Sequence, residues 1–178
     1  YGDGYVSLFV KKHPEFEVYN RGISGHKTCD LLARWNEDTI SLKPDILTIL
    51  VGVNDIWHRH SYQDPRTIVD LERDYRSFLQ MTKEQLPNTK IMMIEPYLIV
   101  FDSFQASFRA ELDEAIHVIR NLAKEYADEY IALDGYFAEK RLIYADNEMM
   151  WDGIHPTPFG HELILNRIEP TILSWAKE

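Results

Sequence analysis

Two rhythms of apolar and polar residues divide the chain. Alternating or unbroken apolar runs predict strands, and apolar residues recurring every three to four positions predict helices with one buried face. Tyr5–Lys12 reads as a short amphipathic helix stopped by His13-Pro14, because a residue before proline is pushed out of the α region. Phe16–Asn20 alternates and predicts a strand, followed by a glycine-punctuated loop over Arg21–Lys27. Thr28 is placed to cap a helix whose apolar face is Leu31, Leu32, Trp35, Thr39, Ile40 and Leu42, ended by Lys43-Pro44. Asp45–Gly52 is nearly all apolar, the pattern of a central parallel strand buried on both faces.

Farther along, Val53–Asp64 reads as a polar loop and Pro65–Leu86 as a helix with Ile68, Leu71, Tyr75, Phe78 and Leu79 inward. Lys90–Glu95 predicts a strand ended by Pro96, Phe104–Asp128 a long helix, Tyr130–Leu133 a short strand, Phe137–Tyr144 a helix, and Phe159–Ala176 a final helix. Strands and helices alternate with short links and no internal repeat. That order predicts an α/β fold, a three-layer α/β/α arrangement with a parallel sheet, in one domain over residues 1–178. In such sheets the working loops lie beyond the carboxyl ends of the strands. Here those are Asn20–Lys27, Gly52–Asp64 and the stretch after Glu95.

Composition narrows the partners. At 178 residues and 45% hydrophobic, the chain can bury a substantial core, and no apolar run approaches the ~20 residues of a membrane span. A net charge of -10 argues against nucleic acid, whose phosphates need a basic face. A single cysteine, Cys29, allows neither an internal disulfide nor a thiolate metal cluster, and it points to a reducing, cytoplasmic setting. Homo-oligomerisation stays open.

Candidate chemistry concentrates in three places. In Trp151-Asp152-Gly153-Ile154-His155-Pro156, a carboxylate three residues before an imidazole can fold back onto Nδ1 and leave Nε2 outward as a base. Taken alone, the same spacing also suits a helix-entry loop in which Asp152 caps and His155 packs. In Gly22-Ile23-Ser24-Gly25-His26, a glycine can aim its N–H at a ligand, and in Gly52-Val53-Asn54-Asp55 a side-chain amide can donate. A backbone N–H with an asparagine amide is a recurring oxyanion hole. Each loop singly is equally well a turn built of ordinary turn residues.

Together and in this order, Asn20-x-Gly-x-Ser-Gly25, Gly52-x-Asn54-Asp55 and Asp152-x-x-His155 resemble the second, third and fifth blocks of the SGNH hydrolases, also called the GDSL esterase/lipase family. Arg34-Trp35 with Asp38, Lys43-Pro44-Asp45 and Asn54-Asp55-Ile56-Trp57 look most like its bacterial acetylxylan-esterase-like branch. The resemblance implies a flavodoxin-like fold and a serine esterase acting on small acyl esters, acetyl groups on carbohydrates foremost, with no cofactor and no metal. It implies His155 as general base, Asp152 as its orienting acid, and Gly25 and Asn54 as oxyanion donors. Trp57 is a candidate aromatic wall for substrate, as is Trp151; rim packing explains either equally well.

The family's nucleophile, a serine in a Gly-Asp-Ser block, has no counterpart: Gly2-Asp3-Gly4 offers no hydroxyl, and Ser7 and Ser24 fall where the family places no nucleophile. The family layout puts the serine and its strand before residue 1, between the strands predicted at Phe16–Asn20 and Asp45–Gly52. The alternative is a catalytically inactive carbohydrate-binding module of the same fold. His58 and His60 beside Asp55 and Asp64 make a poor metal site, with no third ligand at a recognised spacing. His26 could touch substrate.

Overall fold

The computed structural model describes residues 2–177. Its sheet has three parallel strands in the order β1 (Ile46–Leu50), β2 (Lys90–Ile94) and β3 (Glu129–Ile131). Ile46 lies opposite Lys90 and Leu50 opposite Ile94; Met92 pairs with Glu129 and Ile94 with Ile131. Parallel neighbours require crossovers, and helices supply them. Between β1 and β2 run α3 (Val53–Tyr62) and α4 (Ile68–Gln85), and between β2 and β3 runs α5 (Ser103–Tyr126). The other helices are α1 (Tyr5–Lys12), α2 (Thr28–Trp35), α6 (Leu133–Lys140), the short α7 (Asp146–Met149) and α8 (Pro158–Trp175).

The period of two along β2 sorts its side chains into two cores. Ile91 and Met93 point into a cluster with Phe78 and Leu79 of α4 and Phe108, Leu112 and Ile116 of α5. Met92 and Ile94 point the other way, against Phe9 of α1 and Leu163, Ile164 and Ile168 of α8. The sheet is thus sandwiched between two helical layers. Across the second layer, Glu169 of α8 holds α1 through Lys12 (2.6 Å) and His13 Nε2 (2.7 Å). Among the described residues no helix is long and apolar enough to cross a membrane.

Four expectations need correction. Val53–Tyr62 is a helix, not a loop. Its polar surface masks a buried stripe, Asp55 and Ile56 lie inside, and His58 stacks edge-on with Tyr62 one turn later. The helix beginning at Thr28 does not continue regularly to Leu42: after Trp35 it widens into a π-helical turn over Asn36–Ile40. There the buried Asp38 accepts hydrogen bonds from both Arg21 and Arg34. The helix expected over Phe137–Tyr144 spans Leu133–Lys140, with Leu133 and Phe137 as its buried residues and Asp134 turned to Arg109 and the Leu98 N–H.

The fourth concerns the sheet. Phe16–Asn20 is not part of the three-stranded sheet, although Phe16 and Val18 do pack against the α1–α8 core as their alternation requires. Alternation fixes which side chains face inward, whereas a ladder also needs a partner backbone. For the same reason β1, read as buried on both faces, is an edge strand among the described residues, with Ile49 its one fully buried position. The strand buried throughout its apolar positions is β2.

Candidate active site

β1 and β2 leave the sheet at the same edge, and both exits lead into the candidate site. After β1, Gly52 turns the chain at φ 128°, a conformation open to glycine, and α3 begins. Asn54 therefore sits in the first turn of α3 and not on a loop. A side chain added at Gly52 would touch Pro96, so the entry to α3 faces the exit of β2. Asn54 Nδ2 donates to the His26 carbonyl at 3.1 Å. An amide carries two hydrogens, which leaves one for a ligand oxygen. Gly25, one residue before His26, is exposed at φ 79° with open space around its Cα. The Asn54–His26 bond thus joins the first turn of α3 to the loop at the residue after Gly25.

Asp55 lies beside Asn54 and is buried. It accepts the Thr28 hydroxyl at 2.6 Å and the Thr28 N–H at 3.1 and 3.3 Å. Burial pushes its carboxyl up to about 6, against the pull of the Thr28 bonds and of the nearby Arg66 and Lys27 charges.

After β2, Tyr97, Leu98 and Ile99 are buried and form a platform for the acid–histidine loop. Arg109 fixes this platform by donating to the Leu98 carbonyl at 2.8 Å, and Asp134 accepts both Arg109 and the Leu98 N–H. Onto it the loop is fastened at three points. Ile99 N–H donates to the Gly153 carbonyl at 3.0 Å, the Tyr97 hydroxyl to the Ile154 carbonyl at 2.9 Å, and Gln105 Nε2 to the Asp152 carbonyl. Gln105 is buried, and its other amide atom accepts the Phe101 N–H at 2.7 Å, so one side chain joins platform and loop. Gly153, at φ 88°, lies so close to the Ile99 carbonyl that no Cβ would fit.

The loop is also closed at its base. Met150 and Pro156 form a β-bridge, and Trp151 N–H donates to the His155 carbonyl at 2.8 Å. Thr157 then caps α8, accepting the Gly160 N–H at 3.0 Å. Within this frame Asp152 Oδ2 meets His155 Nδ1 at 2.8 Å, while Oδ1 accepts the backbone N–H groups of His155 (2.8 Å) and Ile154 (3.1 Å). Partial burial pushes the Asp152 carboxyl up. The hydrogen bonds from the His155 backbone, the His155 ring and the Ile154 N–H outweigh it and hold the carboxyl below its usual value. An ionised Asp152 is what keeps the Nδ1 proton facing it and Nε2 outward. The His155 side chain is 67% exposed, so that nitrogen is open to reactants.

Trp57 is half-buried on α3, edge-on to Phe104 and Phe108 of α5 at 5.9 Å each, and Trp151 stands 69% exposed beside Asp152. His60 and Arg59 bind Glu111 across the α3–α5 seam. His26 keeps Nδ1 buried, with no partner among the described residues. The supporting residues Gly153, Gln105 and Tyr97 were not singled out from the sequence. Only Gly153 left a signal there, as a glycine inside the acid-to-histidine spacer.

The chain is similar to known proteins. The family model described as "GDSL-like Lipase/Acylhydrolase family" matches residues 2–163. The acetylxylan esterase of Geobacillus stearothermophilus is 30% identical over 178 aligned positions, covering 92% of this chain and 78% of that protein. Among solved structures, one described as a GDSL-like lipase from Parabacteroides merdae has a TM-score of 0.82 at 33% identity, covering 95% of this chain and 80% of its own. Axe2, the G. stearothermophilus esterase, has a TM-score of 0.79 at 28% identity, covering 93% and 78%. Sequence and structure agree that the chain belongs to the GDSL-like lipase/acylhydrolase family, the SGNH hydrolases, as a carboxylic ester hydrolase of the acetylxylan-esterase-like branch.

Proposed function

We propose that the protein hydrolyses small acyl esters, acetyl esters on carbohydrates foremost, through a serine–histidine–aspartate triad. His155 is the base, Asp152 its orienting acid, and the Gly25 N–H and Asn54 amide are oxyanion donors. The observation that carries the reading is the Asp152–His155 pair, aligned at 2.8 Å with Nε2 turned outward. Further support comes from Axe2, of which variants at a serine, an aspartate and a histidine are described as catalytic mutants; its aspartate precedes its histidine by three positions, as Asp152 precedes His155.

The nucleophile is a serine outside residues 1–178, carried by a strand that pairs with β1 in this same domain. The edge of β1 supports this, since among the described residues it has no strand neighbour opposite β2 and an apolar strand left open invites aggregation. In the reaction the serine oxygen bonds to the ester carbonyl carbon as His155 Nε2 takes its proton. The carbonyl oxygen gathers negative charge against the Gly25 and Asn54 donors. The carbon–oxygen bond to the alcohol then breaks, with the proton passed from His155 to the departing oxygen. Water, deprotonated by His155, releases the acid and restores the serine. In this reading Trp57 and Trp151 supply aromatic surface for a sugar ring.

The test is hydrolysis of an aryl acetate, with labelling by a serine-directed fluorophosphonate and the intact mass of the purified protein. Turnover and a labelled serine are expected, and His155→Ala should lower kcat by about 10⁴-fold or more. A folded protein that neither labels nor hydrolyses, yet binds acetylated xylo-oligosaccharide, would favour the binding-module alternative.

A further inference from the structure

Among the buried carboxylates that the reaction does not use, Asp55 lies beside an oxyanion donor. Asp55 and Asn54 are adjacent in the first turn of α3 and take hold of alternate residues of the loop that carries Gly25. Asn54 holds the His26 carbonyl, and Asp55 holds both the N–H and the hydroxyl of Thr28. Between them Lys27 is tied to Asp64, whose carboxylate also accepts the Arg66 N–H at 3.0 Å. The α3 side thus grips three successive residues immediately after Gly25.

We propose that Asp55 is a positioning residue for the oxyanion site, its grip on the Thr28 N–H and hydroxyl setting the separation between the Gly25 N–H and the Asn54 amide. The proposal rests on the oxyanion reading of those two groups. It adds that the hole is assembled from a loop and the first turn of α3 and needs a lock between them, which no hydrogen bond to substrate provides.

Asp55 is 5% exposed, and the groups around it are Lys27 and Cys29 from the α2 end, Arg66 from the segment after α3, and the Tyr75 hydroxyl from α4. Its folded-state value of about 6 lies above the ordinary 3.8. The folded protein therefore holds the Asp55 proton more tightly than the unfolded chain. This contribution to stability is fully present below the ordinary value and is lost as pH rises through about 6. At neutral pH the ionised form is destabilising. Its use is that both Thr28 bonds are made to a charged acceptor and that the Oδ2 facing the Thr28 N–H is an acceptor, where Asn would set a competing donor.

Asp55→Asn keeps the shape and removes the charge. In the intact protein its melting temperature at pH 8 should equal or exceed wild type, with the difference shrinking or reversing at pH 5. On an aryl acetate, kcat should fall about 10- to 100-fold with KM changed less than about twofold, as for a weakened oxyanion donor. Thr28→Val should lower kcat in the same way, and Thr28→Ser, which keeps both donors, should not. An unchanged kcat in a folded Asp55→Asn would overturn the proposal, as would a loss of activity that merely follows a loss of stability. A wild type with no esterase activity would instead overturn the reading of the whole site, whatever Asp55 does.

Discussion

The two halves of the site are held in opposite ways. The acid–histidine loop is fastened from beneath by Ile99, Tyr97 and Gln105 and closed at its base by the Met150–Pro156 bridge. Its glycine has no room for a side chain. The Gly25 loop is exposed from Arg21 to Gly25, and its glycine has nothing around it. It is anchored mainly at its ends: the Arg34–Asp38 pair grips Arg21, and α3 grips His26 to Thr28. The difference follows from the demands on each half. A base must keep its tautomer and direction through two proton transfers, which calls for a rigid frame. An oxyanion donor must present a bare N–H to a ligand, which calls for open space.

The largest effect that could break this contrast is expected at Gly153. Gly153→Ala forces a methyl group onto the Ile99 carbonyl at an unfavourable φ, and denaturant unfolding should show a loss of more than about 3 kcal/mol. A variant as stable as wild type would mean the loop is not clamped there. Gln105→Met comes next. It fills the same space but strands the Phe101 N–H and Asp152 carbonyl, so a loss of about 1–3 kcal/mol is expected. The His155 ring resonances should also broaden or move as the loop loosens, and unchanged spectra would remove Gln105 from the frame. Gly25→Ala should matter least for folding, about 1–2 kcal/mol from its φ of 79° alone. A loss equal to that of Gly153→Ala would erase the distinction between the two loops.

What the sequence made legible tracks how local the cause is. The Asp152-x-x-His155 spacing sufficed to place a carboxylate on Nδ1, because one short loop makes the contact. The two faces of β2 were likewise written in its alternation. Val53–Tyr62 was misread because its inward stripe includes Asp55, a charge that its partner Thr28 makes tolerable only in three dimensions. Gln105 was invisible for a similar reason: its two partners are distant in sequence from each other, and one amide on a long amphipathic helix looks like any solvated residue. The π-helical turn after Trp35 depends on Arg21 reaching Asp38, again a meeting that no periodicity records.

The pinning of α1 to α8 by Lys12, His13 and Glu169 sets an order of events during synthesis. The three strands and the helices between them lie within residues 46–131, so the central layer and the face covered by α4 and α5 can assemble as soon as that stretch has emerged. Phe9 can meet Met92 and Ile94 of β2 early, but Leu163, Ile164 and Ile168, the α8 side of that core, follow more than 140 residues after α1. At roughly 5–20 residues per second, that wait lasts on the order of ten seconds. The other face of the sheet stays only partly covered for that interval. The nascent chain therefore carries a long-lived sticky surface, and chaperone engagement belongs to the period before Glu169 leaves the ribosome.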